Sequence, residues 1–336
     1  MSEREGSQRE RTLSEREQRG SSALRIGTRG SALARSQTSL VSAAVVGELG
    51  RKVETVEIVT HGDRSTAALT QIGGTGVFVS ALRDALLAGQ IDLAVHSYKD
   101  LPTTPADGLL IVAVPPREDP RDVLVARDGL TLGELPRGAR IGTGSPRRAA
   151  QLRALGFGVE VVPIRGNVDT RLRKVADGEL DGVVLARAGL ARLDRLDAVT
   201  ELLDPLQMLP APAQGALAVE CRAADAALVA DLGALDHADS RAAVTAEREL
   251  LTALEAGCTA PVGGLAEVAD GGVPAPGGRI GEGLELFLRG SVTAADGSDA
   301  VRLSATGPVT EAAAIGRRLA ADLLAAGADR LLGSRS

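Results

Sequence analysis

The stretch Arg140-Ile-Gly-Thr-Gly-Ser-Pro-Arg-Arg148 reads as the end of a strand, a glycine-bearing turn and the start of a helix. Ser145 has the side chain of an N-cap, and Pro146 has the fixed φ suited to the first helical position. Ala149, Leu152 and Leu155 continue with helical spacing. Arg147 and Arg148 therefore fall in the first turn, where the positive end of the helix dipole disfavours cations. Free backbone N–H groups, a glycine-rich approach and two guanidinium forks together describe a place for an anion. The plain alternative is a pair of solvated surface arginines.

The pattern recurs. Ile164-Arg-Gly-Asn-Val-Asp-Thr-Arg171 follows the strand-like run Val159-Glu-Val-Val-Pro-Ile164. Asn167 is its N-cap candidate, with Arg165 just before it and Arg171 one turn in. Ile26-Gly-Thr-Arg-Gly-Ser31 follows another short apolar stretch, with Ser31 as cap and Arg29 ahead of it. Three strand–loop–helix junctions, each with arginine and a small capping residue, point to a ligand bearing several carboxylates or phosphates.

From Leu24 onward strands and helices alternate. Strand patterns fall at 24–28, 53–60, 91–97, 109–114, 122–126, 139–143, 159–164, 181–186 and 216–220. Helix patterns fall at 31–48, 76–89, 146–155, 168–177, 187–195 and 223–234. Such alternation predicts an α/β fold with largely parallel sheets. Ligands of such sheets sit at the carboxyl ends of strands, where all three arginine junctions lie. Pro115-Pro-Arg-Glu-Asp-Pro120 and Leu209-Pro-Ala-Pro-Ala-Gln214 read as connections between domains. After Asp239 the character changes. Residues 240–256 form one predicted helix closed by Gly257, followed by a Gly/Pro/Ala-rich stretch through 283, a hairpin-like pair near 284–291 and 300–306, and a last helix near 310–327. This predicts a smaller α+β domain. Residues 1–22, rich in Glu, Arg, Ser and Gln, are expected to be a disordered tail.

Composition excludes several classes. The 336 residues are 44% hydrophobic and 24% charged, ordinary for a globular protein of two or three domains. A net charge of −6, no Trp, one Tyr and three Phe argue against nucleic-acid binding. No apolar run approaches the roughly 18 residues of a membrane span. The first residues lack the apolar core of a signal peptide, so a cytoplasmic location is expected. Cys221 and Cys258 fit a reducing compartment, and neither they nor His61, His96 and His237 have metal-ligand spacing, so no metal is expected.

The chemistry-bearing candidates are few. Ile91-Asp-Leu-Ala-Val-His-Ser-Tyr-Lys-Asp-Leu-Pro102 begins as a buried strand and ends in a polar cluster. Asp100 there has the character of a general acid, a base or a cation stabiliser, or simply of a turn cap. Lys99 is one of three lysines, and the other two, Lys52 and Lys174, read as solvated. Cys258, in Ala256-Gly-Cys-Thr-Ala-Pro261, follows a helix C-terminus, which raises a thiol pKa. It is a poor hydrolytic nucleophile but a serviceable attachment point, or else a buried small hydrophobe. Cys221 reads as buried core. Gly73-Gly-Thr-Gly-Val-Phe78 lacks the phosphate-loop lysine and spacing, and reads as a turn before a helix.

Taken together these segments resemble the porphobilinogen deaminase (hydroxymethylbilane synthase) family from about Leu24 to Leu331. The carriers are Thr28-Arg-Gly-Ser31, Val95-His-Ser-Tyr-Lys-Asp-Leu-Pro102, Arg117-Glu-Asp-Pro-Arg-Asp122, Gly142-Thr-Gly-Ser-Pro-Arg-Arg148, Arg165-Gly-Asn-Val-Asp-Thr-Arg171, Gln214-Gly-Ala216 and Gly257-Cys-Thr-Ala-Pro261. The resemblance implies a transferase that condenses four porphobilinogen molecules head to tail, releasing four ammonias, into a linear tetrapyrrole of the heme pathway. It implies a dipyrromethane cofactor held as a thioether on Cys258. It implies that Asp100, with Lys99, is catalytic, protonating the leaving amine and stabilising the azafulvenium cation. Arg29, Ser31, Lys99, Ser145, Arg147, Arg148, Arg165, Arg171 and Gln214 would bind the carboxylates of cofactor and substrate. The implied fold has two α/β domains like those of periplasmic binding proteins, 23–115 plus 216–237 and 116–215, with the active-site cleft between them. A third α+β domain, 238–336, carries the cysteine. A cytoplasmic monomer with no nucleic-acid or membrane partner is expected. Thr75 and Gln71 stand where the family often has lysines, and Arg64 or Arg83 are candidates to replace them. A non-catalytic binding protein for a polycarboxylate would share the arginines without needing Asp100 and Cys258 together. A cysteine hydrolase pairing Cys258 with His96 would need the activated thiol that its position disfavours.

Overall fold

The computed structural model describes residues 23–58, 76–256, 260–270 and 283–332. The tail 1–22, His61, Arg64, Gln71, Thr75 and Cys258 lie outside them. The chain divides into two compact units. The first holds the described residues through His96, Pro105–Ala113 and Ala218–Asp236, and the second holds Ser97–Thr104, Val114–Leu217 and the chain from His237 on.

The first unit is built on a five-stranded sheet, in the order β2 (Val53–Glu57), β1 (Leu24–Thr28), β3 (Leu93–Ser97), β10 (Leu217–Arg222), β4 (Leu109–Ala113). Helices α1 (Ala32–Leu49) and α2 (Gly76–Leu87) feed the parallel neighbours of β1. Ile26, Leu82, Leu86, Ile91 and Leu93 are fully buried in this unit.

In the second unit an equivalent sheet runs β7 (Glu160–Pro163), β6 (Arg140–Thr143), β8 (Gly182–Ala186), β5 (Asp122–Ala126), β9 (Glu201–Leu202). Helices α3 (Pro146–Ala154), α4 (Val168–Ala176) and α5 (Arg187–Arg192) belong to it. The expectation of largely parallel sheets holds among β1, β2 and β3 and among β6, β7 and β8. Strand β5 is antiparallel to β8, and β10 to β4. Parallel pairing needs a crossover, usually a helix, and β5 leads to β6 without an α-helix, so β6 and its parallel partner β8 run opposite to β5.

After α6 (Ala226–Leu232) in the first unit, helix α7 (Ala238–Ala253) and the C-terminal α8 (Ala312–Ala325) pack on a three-stranded antiparallel sheet, β11 (Val262–Asp270), β12 (Leu284–Thr293), β13 (Ala300–Pro308). Leu250, Leu286, Leu288, Ile315 and Leu319 form its core. The hairpin pair and both helices match the expectation. Strand β11 does not: the sequence reading placed it in an irregular Gly/Pro/Ala stretch. Its glycines serve close packing, since a Cβ on Gly263 would lie 3.0 Å from Leu209 Cβ, and one on Gly264 would lie 3.2 Å from Pro212 Cγ.

Candidate active site

The three junctions form as their sequences dictate. Ser31 caps α1 by accepting from Ala34 N at 3.2 Å, Ser145 caps α3 by accepting from Arg148 N at 3.4 Å, and Asn167 caps α4 by accepting from Thr170 N at 2.9 Å. Arg29 and Ser31 stand at the end of β1 in the first unit. Lys99, Asp100, Ser145, Arg147, Arg148, Arg165, Arg171 and Gln214 all belong to the second.

The centre of the second unit's polar cluster is a residue that the sequence reading quotes only as the end of the Arg117–Asp122 motif, with no site role. Asp122 opens β5 and is 0% exposed. Arg147 Nη2 donates to Asp122 Oδ2 at 2.7 Å, while Arg148 donates to Oδ1 from Nη2 at 2.7 Å and Nε at 3.1 Å. Gln214 Nε2 donates to the same Oδ1 at 2.7 Å. Burial alone would raise the Asp122 carboxyl, but the two guanidinium groups override it and hold it below the usual carboxylate range. The arginines therefore turn inward instead of standing free at the helix terminus. Arg147 Nη1 caps the Leu209 carbonyl, and Arg148 Nη1 donates to Val184 O at 3.0 Å. The signal in the sequence was one aspartate opening the otherwise apolar run Asp122-Val-Leu-Val-Ala126.

Gln214 links this cluster to the Asp100 turn. Its Nε2 also donates to Pro120 O at 2.7 Å, so its Oε1 faces the cations. That oxygen accepts from Lys99 Nζ at 3.1 Å and Arg148 Nη2 at 3.4 Å. Gly215 follows with φ +87°, and a Cβ there would collide with Glu118 O, which explains glycine at this turn. Lys99 and Asp100 share one 3-10 turn, Tyr98–Asp100, directly after β3. Asp100 is exposed and Lys99 half-buried. Burial pushes the Lys99 ammonium down to about 8, Arg148 and Arg147 add to the fall, and Asp100 and Asp122 oppose it.

A second buried anchor was also missed. Glu247, on α7 and 0% exposed, accepts from Arg117 Nη1 at 2.7 Å and Nη2 at 3.0 Å, and from the backbone N–H groups of Ala213 and Ala266. Arg117 Nε in turn donates to Gln214 O at 2.8 Å. Arg171 is half-buried and donates from Nε to Gly166 O at 2.9 Å. Burial lowers its pKa, and the Arg148 charge adds to the effect. Arg165 is exposed in the loop between β7 and α4. In the first unit His96 Nε2 lies 3.1 Å from Glu220 Oε2, and Arg83 Nε donates to Glu220 Oε1 at 3.0 Å. Cys221 is fully buried, and burial pushes its thiol up to about 11.

The arrangement suits a polyanion. Arg147, Arg148 and Lys99 set three cations against the single buried carboxylate of Asp122. Arg147 Nε is buried and makes no hydrogen bond among the described residues. Among those residues no group of His, Cys, Asp and Glu is placed to hold a metal, and no helix is long and apolar enough to cross a membrane.

Comparison with known proteins agrees. Residues 24–230 match the family model for porphobilinogen deaminase, dipyromethane cofactor binding domain, and residues 241–325 match the model for porphobilinogen deaminase, C-terminal domain. The chain is 60% identical to a porphobilinogen deaminase of Nocardia farcinica over 92% of this chain and 88% of that protein. It is 59% identical to one from Mycobacterium bovis over 92% of this chain and 98% of the relative. Among solved structures, a periplasmic substrate-binding protein of an ABC transporter from Coxiella burnetii is a looser likeness, at 13% identity and TM-score 0.41 over 63% of this chain and 91% of that one. The two matched models cover nearly all of the described chain, and the chain belongs to the porphobilinogen deaminase family.

Proposed function

We propose that this chain condenses porphobilinogen head to tail into the linear tetrapyrrole hydroxymethylbilane, with Asp100 as its central catalytic group. The carrying observation is the three-cation cluster around Asp122, joined through Gln214 to the turn that bears Lys99 and Asp100. Each porphobilinogen carries two carboxylates, so substrate and growing product are polyanions. The excess positive charge fits them.

In each condensation a carbon–nitrogen bond breaks and ammonia leaves, a carbon–carbon bond forms between pyrroles, and the attacking α-carbon gives up its hydrogen as a proton that returns to Asp100. Asp100, exposed on its turn, hands a proton to the departing amine and then opposes the cation that develops on the pyrrole methylene. Lys99, Arg165, Arg171, Arg29 and the capping hydroxyls of Ser31 and Ser145 bind carboxylates. Arg147, Arg148 and Gln214, already committed to Asp122, hold the positive field in place. A dipyrromethane, when bound as a thioether to Cys258, supplies the pyrrole carbon on which the chain starts. Cys221 is unsuited to that role because its thiol is buried and its pKa raised. The reading takes the enzyme as a cytoplasmic monomer, in keeping with the two cysteines of a reducing compartment.

Incubation with porphobilinogen should release ammonia and produce a tetrapyrrole. Intact-mass spectrometry of the purified protein should show two linked pyrrole units beyond the sequence mass, retained in denaturant and mapped to the Cys258 peptide. Cys258→Ala should lack both added mass and activity. An active enzyme with an unmodified Cys258 would refute the attachment.

A further inference from the structure

We propose that Arg248 is a positioning residue for Asp100, holding its turn from helix α7 without touching substrate. The inference rests on the reading of Asp100 as the catalytic carboxylate. Asp100 sits at the end of a single 3-10 turn, closed by one backbone bond, Leu101 N to Tyr98 O at 3.2 Å. A lone turn of this kind is weakly self-stabilised. Leu101 and Pro102 lie outside any helix or strand, so their carbonyls have no ladder partner and need donors from elsewhere. Arg248 supplies them. Its Nη1 donates to Leu101 O at 3.1 Å and Tyr98 O at 3.3 Å, and its Nη2 donates to Pro102 O at 2.6 Å. The guanidinium carbon lies 4.5 Å from the centroid of the Tyr98 ring, a cation–π stack. One planar group thus fixes both the residue that starts the turn and the two that follow it, leaving Asp100 between them.

The helix doing this is itself tied to the other side of the cluster. Glu247, the preceding residue, holds Arg117, and Arg117 holds the Gln214 carbonyl. Adjacent residues of α7 therefore anchor both segments that meet at the Lys99–Gln214 hydrogen bond. A lysine at 248 would keep the charge but could not span three carbonyls while stacking flat on Tyr98.

The test uses full-length, cofactor-loaded enzyme. Arg248→Ala and Arg248→Lys are compared with the native protein for kcat, KM for porphobilinogen and amide exchange across residues 97–104. Both variants should lose roughly 10- to 100-fold in kcat, the scale of about 1 Å of misplacement, with KM within about threefold. Exchange across 97–104 should quicken while β5 and β8 keep native protection, and added guanidinium should restore part of the kcat of Arg248→Ala. If the alanine variant fails to fold, the lysine variant, which keeps the charge and stem, carries the comparison. Native kcat, or a lost kcat with native exchange across 97–104, would overturn the proposal. Asp100→Asn is run alongside. Its inactivity beside a fully active Arg248→Lys overturns this proposal alone, whereas an active Asp100→Asn overturns the reading of Asp100 and this proposal with it.

Discussion

Replacing Asp122 with asparagine should destabilise the protein severely while leaving its backbone in place. The carboxylate is fully buried and receives four hydrogen bonds of 3.1 Å or less, three of them from guanidinium groups. Asparagine keeps the shape but offers one carbonyl oxygen and an NH2 group, so one arginine must face a donor. Two cations then remain buried with no counter-charge. Breaking a buried pair from one side costs about 3–5 kcal/mol. At about 2–4 °C per kcal/mol for a unit of 150–250 residues, the midpoint should fall by roughly 6–20 °C. Thermal and urea unfolding followed by circular dichroism measure this at pH 7. The pH dependence gives a second signature. The native carboxyl is held below its unfolded value near 3.9, so its stabilisation is complete above that pH and fades as pH falls toward the folded value. The native-minus-variant difference should therefore shrink below about pH 4. An Asp122→Asn protein within about 1 kcal/mol of native at pH 7, well short of the about 3–5 kcal/mol expected for one-sided loss of a buried pair, would refute the account.

Three further outcomes follow from the site. Asp100→Asn should lower kcat by about two or more decades with native thermal stability, since a neutral amide neither donates the proton nor opposes the developing cation. With the Lys99 pKa near 8, its charge is present below that pH and lost above it, so KM for porphobilinogen should climb as pH rises through 8, and Lys99→Gln should flatten that limb. Arg171→Lys keeps the charge and loses the fork, and should raise KM about tenfold, on the order of one charged hydrogen bond, in steady-state assays.

What was legible in the chain was local. Ser31, Ser145 and Asn167 announce their helices because a cap is a rule about three consecutive residues, and all three cap as read. The strands β1, β3, β5 and β8 are short apolar runs between turns and fall where expected. Strand β11 was hidden because Gly263 and Gly264, which mark irregular chain by composition, are there to admit Leu209 and Pro212. The role of Asp122 was out of reach for a different reason. Its partners lie 25, 26 and 92 residues away, and no spacing rule joins them. Glu247 and Arg248 are likewise unremarkable members of a helical pattern until α7 is set against Arg117 and the Asp100 turn.

The inward turn of Arg147 and Arg148 bears on how the site binds anions. A free arginine at a helix N-terminus opposes the dipole and carries about 2 kcal/mol of side-chain rotamer entropy. An anion that captured it would have to overcome that disorder at the moment of binding. Asp122 removes the disorder during folding instead, so a ligand meets a fixed field with one carboxylate's worth of charge already spent. Two views of the cluster then predict opposite results. If raw positive charge sets affinity, Asp122→Asn makes the cluster more cationic and KM for porphobilinogen should fall. If order sets it, the loosened guanidinium groups should raise KM despite the added charge. The bond pattern favours order, because Arg148 is held by three separate acceptors, Asp122, Val184 O and Gln214, and charge alone would need none of them. A fall in KM in the folded variant, measured below its unfolding temperature, would show that Asp122 restrains binding and does not prepare it.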